Sequence, residues 1–172
     1  FIEGTRIQNL NRDWWRLKVG FEEYGKVSEK LMIGWMFETV LSSQPNFDNF
    51  QSSQIQSNAF EPMFDSKTYF LPEYRAYSFS AAGIKFIYEL SAALQFRTEV
   101  YGFLAHKSVT EGSNQNAIVQ STSKYLKFSG MTGFIYRTPI GPLSLRLNYF
   151  EQDGARFGLM FSYGHTIFSK RS

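Results

Sequence analysis

Apolar and polar side chains alternate strictly along most of this sequence, and a two-residue period puts successive side chains on opposite faces of a β-strand. Over residues 94–103, Leu94, Phe96, Thr98 and Val100 face one way while Gln95, Arg97, Glu99 and Tyr101 face the other. Residues 143–150 set Leu143, Leu145, Leu147 and Tyr149 against Ser144, Arg146 and Asn148. In residues 155–168, Phe157, Leu159, Phe161, Tyr163 and Ile167 oppose Arg156, Gly158, Met160, Ser162, Gly164 and Thr166. Near the start, Trp15, Leu17, Val19 and Phe21 oppose Arg16, Lys18 and Glu22, and Leu31, Ile33, Trp35, Phe37 and Leu41 oppose Lys30, Gly34 and Glu38. Residues 74–85 and 124–137 carry a weaker form of the pattern. No stretch of comparable length has a helical period, so the expected class is all-β.

Strand length narrows the class. Soluble strands typically run about 5 to 6 residues, whereas a strand crossing a bilayer needs about 9 to 11. The expected strands cover residues 1–9, 13–24, 28–41, 74–86, 91–103, 124–137, 142–151 and 155–168 of a single domain, 1–172. Their connections alternate in length: 25–27, 87–91 and 138–142 are short, whereas 42–73 and 104–123 are long. Gln152-Asp153-Gly154 closes the last hairpin with an Asp-Gly turn signal. If the last strand ends on the periplasmic side, every long connection is external, and residues 2–9 enter from the periplasm with an external turn at 9–12. The expectation is an antiparallel transmembrane β-barrel of about eight strands per chain, alone or as half of a larger dimeric barrel.

Composition decides which face meets what. The 172 residues include 3 Trp, 10 Tyr and 18 Phe, and side chains of that bulk on every apolar face would overfill an eight-stranded interior. The polar faces carry Arg16, Lys18, Glu38, Arg97, Glu99, Arg146 and Arg156 among Gly34, Gly158, Gly164, Ser144 and Ser162, a mixture suited to a crowded lumen of paired charges. Trp14, Trp15, Tyr24, Tyr88, Tyr125, Tyr136 and Tyr149 lie near strand ends, as interfacial girdles do. The alternative is a soluble lipocalin-like ligand-binding barrel or a β-sandwich, with the two faces exchanged. A helical membrane span is excluded, since the longest strongly apolar run is residues 31–37. A hydrophobic content of 43% excludes disorder, and a dispersed net charge of +3 gives no footprint for nucleic acid. The absence of Cys removes disulfides and thiol chemistry. Phe1 in place of an initiator Met indicates a processed chain or the C-terminal piece of a longer one.

Two features carry a resemblance. Arg156-Phe157-Gly158-Leu159-Met160-Phe161-Ser162-Tyr163 resembles the C-terminal insertion signal of bacterial outer membrane proteins, with Arg156, Gly158, Phe161 and Tyr163 at its defining positions, although the chain runs on to Ser172. The stretch 57–83, Ser-Asn-Ala-Phe-Glu-Pro-Met-Phe-Asp-Ser-Lys-Thr-Tyr-Phe-Leu-Pro-Glu-Tyr-Arg-Ala-Tyr-Ser-Phe-Ser-Ala-Ala-Gly, together with Thr138-Pro139-Ile140-Gly141-Pro142-Leu143-Ser144-Leu145, resembles the C-terminal, surface-antigen-like barrel of Bacteroidetes-type patatin-like phospholipases. The resemblance implies a barrel that anchors or exports a hydrolase located upstream. It also implies outer membrane lipids and the barrel assembly machinery as partners, and a second copy or a larger membrane complex as further ones. The Gly-x-Ser-x-Gly motif of the patatin dyad is absent, and Asp153-Gly154-Ala155 reads as a turn. A second hypothesis makes the barrel a transport pore or a surface-antigen-type assembly protein.

The remaining candidates read as structural. His106 falls in the expected loop and His165 on the outward side of the last strand, with no ligand set around either, so neither a metal nor a cofactor is implied. Glu22 with Glu23 is a weak acid/base candidate, while Arg97 and Glu99 share a face and read as a lumen ion pair. Residues 108–123 read as a mobile external loop. Segment 42–73 is too long for an empty connector and contains Phe47, Phe50, Ile55, Phe60, Phe64, Tyr69 and Phe70, which require burial over or inside the barrel or on a partner.

Overall fold

Long alternating stretches build long strands. The computed structural model describes residues 2–7, 12–47, 49–121, 126–152 and 154–164. In chain order the elements are β1 (Ile2–Ile7), β2 (Arg12–Lys26), β3 (Leu31–Ser42), α1 (Phe50–Gln56), β4 (Asn58–Ala59), β5 (Arg75–Ala76), β6 (Ser78–Glu89), β7 (Leu94–Glu111), β8 (Ala117–Gln120), β9 (Leu126–Thr138), β10 (Gly141–Gln152) and β11 (Gly154–Tyr163). Single 3-10 turns occupy Asp65–Lys67 and Pro72–Tyr74. The protein is all-β and mostly antiparallel. The main sheet is hydrogen-bonded in the order β1-β2-β3-β6-β7-β9-β10-β11, with β8 on β7 and β4 paired separately with β5. The path is open at β1 and β11 among the described residues. Registers include Gly4 opposite Trp15, Gly133 opposite Arg146, and Leu147 opposite Leu159.

The chain divides into two compact units. The first comprises Phe1–Glu22, Met36–Gly83 and Tyr101–Phe128, and the second Glu23–Trp35, Ile84–Val100 and Ser129–Ser172. The second holds three short turns. Val27 and Ser28 donate backbone N–H to Leu31 O, and Leu90 and Ser91 do the same to Leu94 O. Gly141, at φ +128°, closes the third, where Thr138 Oγ1 donates to Gly141 O at 2.5 Å. That φ favours glycine, because it has no Cβ to clash.

The first unit holds the long excursions, and here the structure corrects the sequence reading. Of the loop expected over 104–123, the described residues 104–121 form a hairpin: β7 continues to Glu111, turns through residues 112–116 and returns as β8, with Val109 opposite Val119. The β-branched Val109, Thr110, Ile118 and Val119 suit a strand, although the polar residues around them read as loop. The strand expected to begin at Tyr74 begins at Ser78, because Pro72–Tyr74 forms a 3-10 turn and Arg75–Ala76 pairs with Asn58–Ala59. Within the segment expected as a connector, Asn49 Oδ1 caps α1 by accepting from the N–H groups of Gln51 and Ser52 at 2.8 and 3.2 Å. Arg75 Nη1 satisfies carbonyls at the other end of α1, donating to Ile55 O at 2.8 Å and Ser57 O at 3.0 Å. The expected turns at 9–12 and 153, the start of the 124–137 strand and the end of the 155–168 strand lie outside the described residues.

Candidate functional site

On several strands polar side chains are buried while the alternating apolar ones are exposed, although Phe79, Tyr101 and Phe103 form an apolar buried face on parts of β6 and β7. On β10, Ser144, Arg146 and Asn148 are buried, while the alternating Leu145 and Leu147 are exposed. On β11, Phe157, Leu159, Phe161 and Tyr163 are all more than half exposed, at 65%, 70%, 66% and 53%. On β7, Glu99 and Tyr101 are buried and Val100 is exposed; on β6, Lys85 and Ile87 are buried and Ile84, Phe86 and Tyr88 are exposed. Water-soluble proteins almost never fully bury Lys, Arg or Glu unless they are paired, and seldom expose unbroken rows of large apolar side chains.

The buried charges are held by specific partners. Arg97 Nε donates to Glu99 Oε1, and Glu99 is 3% exposed. Arg146 Nη2 donates to Ser162 Oγ at 3.0 Å, and the Ser144 and Ser162 hydroxyls lie 2.6 Å apart. Gly133 makes room for this group, since a Cβ there would lie 2.9 Å from Arg146 Cγ and 2.4 Å from Leu145 O. Lys18 is exposed and pairs with the half-buried Glu38 at 2.9 Å, and the half-buried Arg16 donates to Asn58 Oδ1 at 3.2 Å, which ties β2 to the long segment. Arg156 is exposed. Of the insertion-signal positions, Gly158 is half-buried and Phe161 and Tyr163 are exposed.

One girdle residue is placed differently. Tyr24 is turned toward the polar face: its ring lies over Gly34, where a Cβ would be 2.6 Å from Cδ1, and its hydroxyl accepts from the buried Lys85 at 3.2 Å. An aromatic ring over a strand glycine restores the packing that glycine lacks, and here it also faces a cation. Trp15, Tyr88 and Tyr136 are exposed, Trp14 and Tyr149 are half-buried, and Tyr125 lies outside the described residues.

In the first unit the long segment packs against the sheet through one aromatic cluster. Phe60 meets Phe79, Tyr101 and Phe103 at ring-centroid distances of 5.9, 6.1 and 5.7 Å, and Tyr74 meets Phe103 at 5.7 Å. Tyr74 donates its hydroxyl to Phe128 O at 2.5 Å, and Lys127 pairs with Glu73. Burial of the segment's aromatics is selective. Phe60 is buried, Phe47 and Phe50 are half-buried, and Ile55, Phe64, Tyr69 and Phe70 stay exposed. A cavity of about 330 Å³ remains beside the cluster, lined by Phe50, Gln54, Pro72, Phe103, Ala105 and Lys127 among others.

Sequence reasoning missed one constellation. His106 lies within β7, not in a loop, and its Nε2 is 2.8 Å from Ser80 Oγ on β6. Ser80 Oγ is in turn 2.5 Å from Thr39 Oγ1 on β3. The three side chains come from separate parts of the chain and make no local motif, so only the strand pairing brings them together. His165 lies outside the described residues, as does any role it has. Among the described residues, no cluster of three His, Asp or Glu is placed to hold a metal, and no helix is long and apolar enough to cross a membrane. Comparison of the sequence with protein-family models and with curated proteins yields no match.

Proposed function

We propose that this chain is an outer membrane β-barrel module that anchors, or helps to export, an attached patatin-like lipid hydrolase outside this sequence. The observation that carries the reading is the inverted alternation: buried Arg146, Asn148, Glu99 and Lys85 against exposed Leu145, Leu147, Phe157, Leu159 and Phe161. In water those rows would be an aggregation-prone apolar surface, whereas in a bilayer they are the lipid-facing band. Strand lengths of 12 residues for β3, β6 and β10 suit that role. A bilayer tolerates no open sheet edge, so β1 and β11 require partners. Closure on each other gives an eight-stranded barrel, and exchange with a second copy gives a larger one. An eight-stranded interior is filled by side chains, and the packing of Phe60 and Tyr74 on Phe79 and Phe103 adds a further filling, which favours an anchor over an open pore. Expression in a Gram-negative host tests the reading. It predicts recovery in the outer membrane fraction, a detergent requirement and slower gel mobility after boiling; a detergent-free soluble fold contradicts it.

A further inference from the structure

Thr39, Ser80 and His106 occupy the exposed side of their strands. Thr39 lies between the buried Val40 and half-buried Glu38 and shares a face with exposed Phe37 and Leu41; Ser80 lies between buried Phe79 and Ala81. His106 follows buried Ala105. Each is half-buried, so each is both packed and reachable. Thr39 and Ser80 lie close to the strand ends from which a long excursion starts, since β3 ends at Ser42 and β6 begins at Ser78, and the contact with Ser80 puts His106, within β7, at the same level. On the lipid-facing reading above, on which this inference rests, that level is the outer edge of the apolar band, where ester groups of lipids lie. Polar groups on a lipid-facing surface are costly and mark function by default.

The three side chains form one continuous hydrogen-bonded chain. Thr39 Oγ1 lies 2.5 Å from Ser80 Oγ, a contact in which either hydroxyl can donate, and 3.3 Å from Phe79 O, to which it can also donate. Ser80 Oγ is 2.8 Å from His106 Nε2, and in the tautomer of His106 protonated at Nδ1 the Ser80 hydroxyl donates to Nε2. A serine hydroxyl donating to an imidazole is the arrangement of an activated nucleophile and its base.

We propose that Ser80 and His106 form a nucleophile–base pair that hydrolyses carboxylic esters of acyl lipids at the membrane surface, with Thr39 as a positioning residue. Ser80 Oγ attacks the acyl carbonyl carbon as its proton passes to His106 Nε2. The tetrahedral intermediate collapses, the bond from the carbonyl carbon to the alcohol oxygen breaks, and the departing alcohol takes the proton from His106. Water, deprotonated by His106, then attacks the acyl-serine, releasing the carboxylic acid and restoring Ser80. No metal or redox partner enters, and water is the second substrate.

The test is labelling of the full chain with a fluorophosphonate, read by peptide mass, together with hydrolysis of p-nitrophenyl octanoate. The expected result is one adduct on Ser80, absent in Ser80→Ala, with hydrolysis slowed about 10²-fold or more in His106→Gln. Thr39→Val lowers kcat with KM unchanged, and Thr39→Ser restores it. Folded protein whose Ser80 stays unmodified overturns the proposal, and that arm needs no variant. The membrane reading is separated by running the same labelling on any detergent-free soluble fraction. An adduct on Ser80 there keeps the pair and removes its lipid-facing placement, whereas no adduct removes the pair.

Discussion

Arg146 Nη2 donates to Ser162 Oγ at 3.0 Å on a strand face that is buried, while Leu145 and Leu147 on either side of Arg146 are exposed. The contact joins β10 to β11 and gives a buried cation a polar setting. Arg146→Ala is expected to lower stability by about 1.5–3 kcal/mol, the range for a hydrogen bond to a charged group. Urea unfolding in detergent micelles measures it, and an unchanged midpoint contradicts the role.

Gly133 is required by the same group. Its missing Cβ would lie 2.4 Å from Leu145 O and 2.9 Å from Arg146 Cα, and the β9–β10 ladder prevents the backbone from retreating. Gly133→Ala is expected to destabilise by about 1–3 kcal/mol through overpacking. Gly20, with no heavy atom within 4 Å of the same position, is the control, and Gly20→Ala should leave the midpoint near the parent value.

Phe60 holds the long segment on the sheet of its unit through Phe79, Tyr101 and Phe103. Phe60→Ala is expected to remove about 3–5 kcal/mol of that packing. Limited proteolysis should then cut within residues 43–76 while the strands remain protected; equal resistance in parent and variant counts against the cluster as the fastening.

Tyr77 supplies a pH dependence. It precedes β6, its N–H donates to Lys107 O at 2.8 Å, and burial pushes its phenol up from the ordinary value of 10.0, with the nearby Ser53 side chain opposing the rise. The unfolded chain therefore releases this proton at lower pH than the folded one. Stability is fully present below about pH 10 and is lost as pH rises through the raised folded value. Tyr77→Phe should abolish the alkaline loss in a pH series of thermal midpoints, and a loss that persists unchanged in the variant assigns it elsewhere.

The sequence made some of this legible and hid the rest for identifiable reasons. Alternation over 143–150 announces its strand because the period is local, and burial alternates with it from Ser144 to Asn148. The hairpin through Val109 and Val119 was hidden because Ser, Thr and Asn around it carry turn signals that long-range pairing overrides. Tyr24 reads as an interfacial residue from its place near a strand end, although its destination depends on the empty space at Gly34 on the next strand. The contact of Ser80 with His106 depends on the pairing of β6 with β7, which no spacing in the chain encodes.

The central claim is that the exposed apolar faces meet lipid. The chain has no Cys, so single cysteines at Leu147 and Leu159 can carry a fluorophore without competing labels, with Ile140 in a turn, 75% exposed, as the aqueous reference. In vesicles, the account predicts that brominated lipid quenches the labels at 147 and 159 while iodide in the buffer quenches only the label at 140. Iodide quenching at all three positions, with no effect of brominated lipid, would contradict it.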